Sequence, residues 1–209
     1  MDDPAREPEF PLFPLGLVVV PHELVPIQVF EARYRALIAD CIDEEREFGI
    51  LWSTDEEERE VGCAVEIAEV VGRLVGERWN IVVRGTRPFR ALDRTDALGY
   101  PAGTVAWLTD LAEDPDAQAR ADAHAAYRTL VATATDHKLD RDDLAALDSY
   151  RMAATVEFGP DAKQALLELR SENARLRLLT RLFRAAAKRL DLIGRAEARA
   201  RSNGKVRFG

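Results

Sequence analysis

The stretch Val25-Pro26-Ile27-Gln28-Val29-Phe30-Glu31-Ala32-Arg33-Tyr34-Arg35 decides how this chain folds. Over its first five residues Val25, Ile27 and Val29 alternate with Pro26 and Gln28, the period of two that places every second side chain on one face of a strand. After Phe30 the period lengthens. Tyr34, Leu37, Ile38, Cys41 and Ile42 recur three and four apart up to about Arg46, which is the stripe of an amphipathic helix. A strand that runs straight into a helix of this kind predicts a small barrel with one end closed by that helix.

Outward from this stretch the strand signal returns. Val61, Cys63, Val65 and Ile67 alternate with Gly62, Ala64, Glu66 and Ala68. Further strands are predicted at residues 16–20, 48–53, 79–86, 89–94 and 103–108, with the acidic run Asp55 to Glu60 as an exposed hairpin tip. Eight of the ten prolines and eight of the twelve glycines lie between Pro4 and Gly103, whereas no glycine and one proline lie between Thr104 and Phe158. Because both residues mark turns and destabilise helix interiors, the first half reads as strands and turns and the second as helices, with the boundary near residues 109–116.

The helices of the second half carry start signals. Asp114-Pro115 is read as opening a helix with the stripe Ala123, Tyr127, Leu130, Val131 and Ala134. Asp140 is read as capping the next, with Leu144, Leu147 and Tyr150 on it. Gly159-Pro160 breaks the chain, and Asp161 with Gln164 has the spacing of a capping box for a short helix through Leu169. Ser171 is placed at the cap of a long helix whose seam is Leu176, Leu179, Phe183, Ala186 and Leu190. The expected organisation is a flexible start over residues 1–9, a barrel over 10–111, a helical bundle over 112–194 and a basic tail over 195–209.

Composition bounds the rest. With 209 residues, 47% hydrophobic and 32% charged, the chain can bury a core, and disordered or collagen-like classes are excluded. The longest apolar stretch, residues 12–21, is about half a bilayer span, is broken by Pro14 and follows the acidic start Met1-Asp2-Asp3, so neither a membrane span nor a signal peptide is expected. Cys41 and Cys63 cannot build a disulfide framework and have no zinc-ligand spacing around them, which favours a reduced, cytoplasmic setting without a structural metal. The net charge of −8 argues against a dedicated nucleic-acid binder. It is not uniform: residues 163–209 hold 13 basic and 4 acidic side chains, net +9, and residues 1–162 hold 16 and 33, net −17.

Several segments resemble one family. Pro11-Leu12-Phe13-Pro14-Leu15-Gly16, Pro21, and Pro26 through Phe30-Glu31-Ala32-Arg33-Tyr34-Arg35 are similar to the opening of the Lon protease N-terminal, substrate-binding domain family. Phe48-Gly49-Ile50, Val61-Gly62-Cys63-Ala64 and, most distinctively, Gly85-Thr86-Arg87-Pro88-Phe89-Arg90 continue the match. Residues 161–168 and 175–179 look like the family's helical part. The resemblance implies an α+β fold, a PUA-like pseudo-β-barrel with one helix followed by a C-terminal α-helical bundle. In full-length Lon this region helps capture unfolded or tagged protein substrates and supports assembly. Neither a Gly-rich loop ending in Gly-Lys-Ser/Thr nor the family's Ser-Lys dyad occurs, so a free-standing, non-enzymatic member without cofactors is expected.

The inventory of reactive groups agrees with that expectation. None of the four serines, Ser53, Ser149, Ser171 and Ser202, lies in a Gly-x-Ser-x-Gly elbow, and His22, His124 and His137 have no paired-ligand spacing. Cys41 and Cys63 fall on apolar faces and read as core. The candidate peptide contacts are Phe13, Leu15, Phe30, Arg33, Tyr34, Arg87 and Phe89; the competing reading buries the aromatics, Trp107 among them, and ties the arginines into internal ion pairs. On the last helix Arg177, Arg181, Arg184 and Lys188 step by four, three and four, continued by Arg195, Arg199, Arg201, Lys205 and Arg207. These are candidate phosphate or partner contacts, set against a solvated helix face or docking on the acidic part of the chain. The function expected first is a cytoplasmic module that holds peptide or unfolded-protein segments in a groove between barrel and helices, as an adaptor or accessory to an ATP-dependent protease. A nucleic-acid-associated protein using the basic helix comes second, and no membrane partner is expected.

Overall fold

A computed structural model describes residues 5–74, 78–135 and 137–203. In chain order its elements are β1 (Arg6–Leu15), β2 (Leu24–Val29), α1 (Ala32–Asp43), β3 (Phe48–Ser53), β4 (Glu58–Leu74), β5 (Arg78–Ala91), β6 (Ala102–Trp107), α2 (Ala117–Ala134), α3 (Arg141–Ala145), α4 (Ser149–Ala153), α5 (Pro160–Glu168) and α6 (Glu172–Asn203). The chain forms two compact units. The first comprises Met1–Ala112 and Tyr150–Ser171, and the second Glu113–Ser149 and Glu172–Gly209.

In the first unit β1, β3, β4, β5 and β6 close on one another as a mixed barrel, which makes the fold α+β. The β1–β3 pair is parallel and the others are antiparallel. Closure comes from β5, which pairs with β4 along its length and with β6 at Phe89, Arg90 and Ala91, while its first half also carries β2 over Trp79 to Arg84. Inside, Phe10, Leu12, Leu51, Ala64, Phe89, Ala91, Val105 and Trp107 form a buried cluster. Two motif glycines are required by close approach: a Cβ at Gly62 would stand 2.2 Å from the Ile50 carbonyl oxygen, and one at Gly85 would stand 2.2 Å from that of Val20.

Four features of this unit differ from what the sequence pattern predicts. Residues 16–20 are buried at Val18, Val19 and Val20 but form no strand; the backbone of Val20 is taken up by Glu23, whose Oε2 accepts from Val20 N–H at 3.0 Å and whose own N–H donates to Val20 O at 3.1 Å. The strand starts earlier, at Arg6, inside the stretch read as flexible, where Arg6 and Glu7 pair with Ala106 and Val105. The two strands expected at 79–86 and 89–94 are one, β5, with a register shift opposite Ala64 and Val65 absorbing the irregularity before Pro88. Finally, Gly159 rather than Asp161 stands at the cap of α5, and Gln164 makes no capping box; its amide donates to Val61 O at 3.1 Å and to Glu168 at 2.9 Å.

That use of Gln164 explains why α5 belongs to the barrel unit. Beside it, the buried Lys163 donates to the buried Glu23 at 2.5 Å, and Tyr150 O–H donates to Leu166 O at 3.3 Å. Leu166 and Leu167 are fully covered.

The second unit is built on α2 and α6. Asp116, at the first helix's start, pairs with Arg177 near the start of the other, and further along Tyr127 packs on Phe183 with centroids 5.2 Å apart, so the two helices run in the same direction. Ala119, Ala123, Ala126, Tyr127 and Leu130 face Leu176, Leu179 and Phe183 in their common core. Ala134 is exposed and Leu190 is 38% exposed, so both predicted stripes end one turn early. Asp116, not Asp114, caps α2 by accepting from Ala119 N–H at 2.9 Å. Asp140 and Asp143 form a reciprocal capping box on α3, a helix that stops at Ala145, before Leu147 and Tyr150. Buried Ser149 and Arg175 are joined through Glu172: both Ser149 N–H and Oγ donate to its carboxylate, as does Arg175 Nη2 at 2.9 Å.

Candidate functional site

The ends of β1 and β2, the start of α1, and the turns after β3 and β5 surround a cleft of about 730 Å³ in the barrel unit. Its floor is aromatic. Phe13 stacks on Tyr34 with centroids 4.2 Å apart and planes 26° from parallel, and both side chains are buried. Strand parity explains the placement of the rim. Ile27 and Val29 point into the core, so Gln28 and then Phe30 face out, and Phe30 is left 65% exposed. Leu15 and Pro14 are half-buried on the same cleft.

Charges line the remaining wall. Arg33 lies with its guanidinium carbon 4.6 Å from the Tyr34 ring centroid and donates to Glu31 at 3.1 Å. Arg94 donates to Glu58 through Nη2 at 2.9 Å and Nε at 3.1 Å. Asp55 and Asp96 also line the cleft and have no ion-pair partner among the described residues. Burial raises the Tyr34 hydroxyl's pKa above its ordinary value; the nearby Glu31, Glu58 and Asp96 charges push the same way, and Arg33 opposes them.

Five of the seven candidate peptide contacts therefore meet: Phe13, Leu15, Phe30, Arg33 and Tyr34. The other two do not join them. Phe89 is 0% exposed, edge-on to Phe10 and Trp107 in the barrel core, so its side chain is closed to a ligand. Arg87 lies 3.6 Å over the Trp107 ring and donates to Glu47 at 3.1 Å, away from the cleft. Sequence reasoning missed Arg94 and Asp96, which a loop rather than any motif brings to the wall, and it treated Asp55 and Glu58 only as a solvated tip.

Beside the cleft, β2 is an edge. Among the described residues it pairs only with β5. Gly85 N–H donates to Glu23 O, which sets the alternation: odd residues of β2 bond to β5, and the backbone groups of Leu24 and Gln28 point away from the sheet. Pro26, which has no N–H, occupies the edge-facing position between them.

Elsewhere the reactive groups are quiet. Burial raises the thiol pKa of Cys41 to about 12 and pushes that of Cys63 up as well, so both stay protonated at neutral pH. Among the described residues no group of three His, Cys, Asp or Glu side chains is arranged to hold a metal ion. On α6, Arg177 is engaged by Asp116, while Arg181, Arg184 and Lys188 are exposed. Arg195 pairs with Asp191, and the side chains of Arg201, Lys205 and Arg207 lie outside the described residues. No helix among the described residues is long and apolar enough to cross a membrane.

The barrel unit is thus a closed mixed barrel with an aromatic-floored cleft. The chain belongs to the ATP-dependent protease La (LON) substrate-binding domain family, which matches residues 9–185. The solved structure of a Lon N-terminal domain protein from Xanthomonas campestris is 26% identical, with a TM-score of 0.64 over 82% of this chain and 96% of that one. The N-terminal domain of the Mycobacterium avium complex Lon protease, at 22% identity, shares the fold with a TM-score of 0.62 over 84% of this chain and 97% of that one. No curated protein sequence matches. The family's domain is a substrate-binding, non-catalytic module.

Proposed function

We propose that this protein is a cytoplasmic, non-catalytic module that holds extended peptide or unfolded-protein segments, acting as an adaptor or accessory to an ATP-dependent protease. The observation that carries the reading is the cleft: an exposed Phe30 at the rim, a Phe13–Tyr34 stack beneath, and the edge of β2 alongside. An apolar side chain of the bound segment packs on Phe30 and Leu15, and its backbone pairs with the edge-facing groups of Leu24 and Gln28. Apolar packing and backbone pairing involve no net charge, so binding of a neutral, unstructured apolar polypeptide is nearly independent of salt. Fluorescence anisotropy with a panel of such chains tests this, and a panel without a single binder removes the proposal.

A second reading has one observation in its favour, the exposed Arg181, Arg184 and Lys188 on one helix. These would contact phosphates, and counterion release would make affinity for RNA or DNA fall steeply with salt. A salt titration with a nucleic-acid oligomer separates the two readings.

A further inference from the structure

We infer that the cleft selects polypeptide segments in which Lys or Arg flanks a large apolar side chain. The inference rests on reading the cleft as a polypeptide site and adds which polypeptides it takes. Its physical basis is an imbalance of charge around an apolar floor. Four carboxylates line the cleft, those of Glu31, Asp55, Glu58 and Asp96, against two cations, Arg33 and Arg94. Both cations are already engaged, Arg33 by Glu31 and Arg94 by Glu58. Asp55 and Asp96 are left over, so the surface facing an incoming segment has a net charge of two negatives, −4 from the carboxylates and +2 from the arginines.

The placement of these groups matters as much as their sum. Asp55 stands in the turn after β3 and Asp96 in the loop after β5, two segments of the cleft walls that the Arg94–Glu58 ion pair joins, so each segment carries one unpaired carboxylate. An apolar side chain seated on Phe30 and Leu15 leaves its sequence neighbours near those walls. A Lys or Arg neighbour gains an ion pair that the protein itself does not supply, and its aliphatic stem lies along the aromatic surface. A Glu or Asp neighbour meets like charge, and a phosphate meets more of it.

Labelled peptides with one Leu-Phe centre flanked by Lys, Gln or Glu test the inference by anisotropy. The ion pairs that a Lys flank makes are partly exposed and screened, so the Lys peptide is expected to bind about threefold to tenfold tighter than the Gln peptide at low ionic strength, and the Glu peptide more weakly than either. At about 1 M salt the Lys-to-Gln ratio falls towards one. Combining Asp55→Asn with Asp96→Asn brings the ratio towards one without added salt. Equal binding of the Lys and Gln peptides to the native protein, or tightest binding of the Glu peptide, overturns the selectivity while leaving the cleft a polypeptide site. If none of the three peptides binds, the reading of the cleft itself fails.

Discussion

Two places in the barrel unit hold the same three ingredients, an aromatic pair, an arginine over a ring and a glutamate on that arginine, and end in opposite states. At the first, Arg87 covers Trp107 and is held by Glu47, and Phe89 beneath is wholly buried. At the second, Arg33 covers Tyr34 and is held by Glu31, but Phe30 beside it is 65% exposed. Residue type does not separate them. Position does: Phe89 falls on an inward register of β5, paired on both sides with Trp107 and Gly62, whereas Phe30 follows the last residue of an edge strand and has no cross-strand partner. A motif aromatic thus becomes core where the ladder closes around it and contact surface where the ladder ends.

The most severe way to sharpen this comparison is to truncate the closed site. Phe89→Ala empties a position ringed by Phe10, Trp107 and the bare backbones of Gly49 and Gly62, and is expected to cost about 3–5 kcal/mol in urea unfolding. A cost under about 1 kcal/mol would mean that the ring is dispensable and the closed site is not closed. Next in size is Glu23→Ala. It takes the acceptor from the Val20 amide and leaves the buried Lys163 ammonium only the exposed Glu157 at 3.7 Å, and is expected to cost about 3 kcal/mol, whereas Glu23→Leu with Lys163→Met removes the stranded charge and recovers part of it, the Val20 amide staying unpaired. Failure of the double substitution to recover stability would show that the pair does more than fix α5 to the barrel.

How much of this was legible follows from what each element depends on. The strand at residues 25–29 and the helix after it announce themselves because period two and period 3.6 are local properties, and Tyr34, Leu37, Ile38 and Cys41 are all buried as the stripe requires. β1 was hidden by Pro8, Pro11 and Pro14, which weaken any strand reading, although its pairing with β3 and β6 tolerates them. The cap of α5 is not legible locally, because Gln164 serves a residue 103 positions away, Val61, and no local pattern reports that. At the site, the aromatics and Arg33 were legible through their motifs. Arg94 and Asp96 were not, since only closure of the barrel brings the loop after β5 against the start of α1.

The open site offers the next test. Phe30→Ala removes an exposed ring, so unfolding stability is expected to change by no more than about 0.5 kcal/mol. Affinity for a neutral apolar polypeptide is expected to fall about tenfold, which corresponds to about 1.4 kcal/mol. Stability and binding then separate at Phe30 and coincide at Phe89, where any loss of binding follows the loss of folded protein. A large destabilisation with Phe30→Ala would place that ring with Phe89 and erase the contrast.

The smallest effects distinguish the two arginines. Side chains of Arg33 and Arg87 are 53% and 52% exposed, so each ion pair and ring contact is screened by water to a similar degree. Truncating either to Ala is expected to cost only about 0.5–1 kcal/mol of stability. Their consequences for binding differ, because Arg33 is one of two cations in a cleft with four carboxylates and Arg87 is not in the cleft. Arg33→Ala frees Glu31 and deepens the negative field, so the preference for a Lys-flanked over a Gln-flanked peptide is expected to rise by about twofold to threefold. Arg87→Ala frees Glu47 instead, outside the cleft, and the preference stays where it was. Anisotropy on the two variants side by side reads this directly: equal changes in preference would mean that the charge acting on the peptide is that of the whole acidic unit, and the division between an open and a closed site would then hold for packing but not for electrostatics.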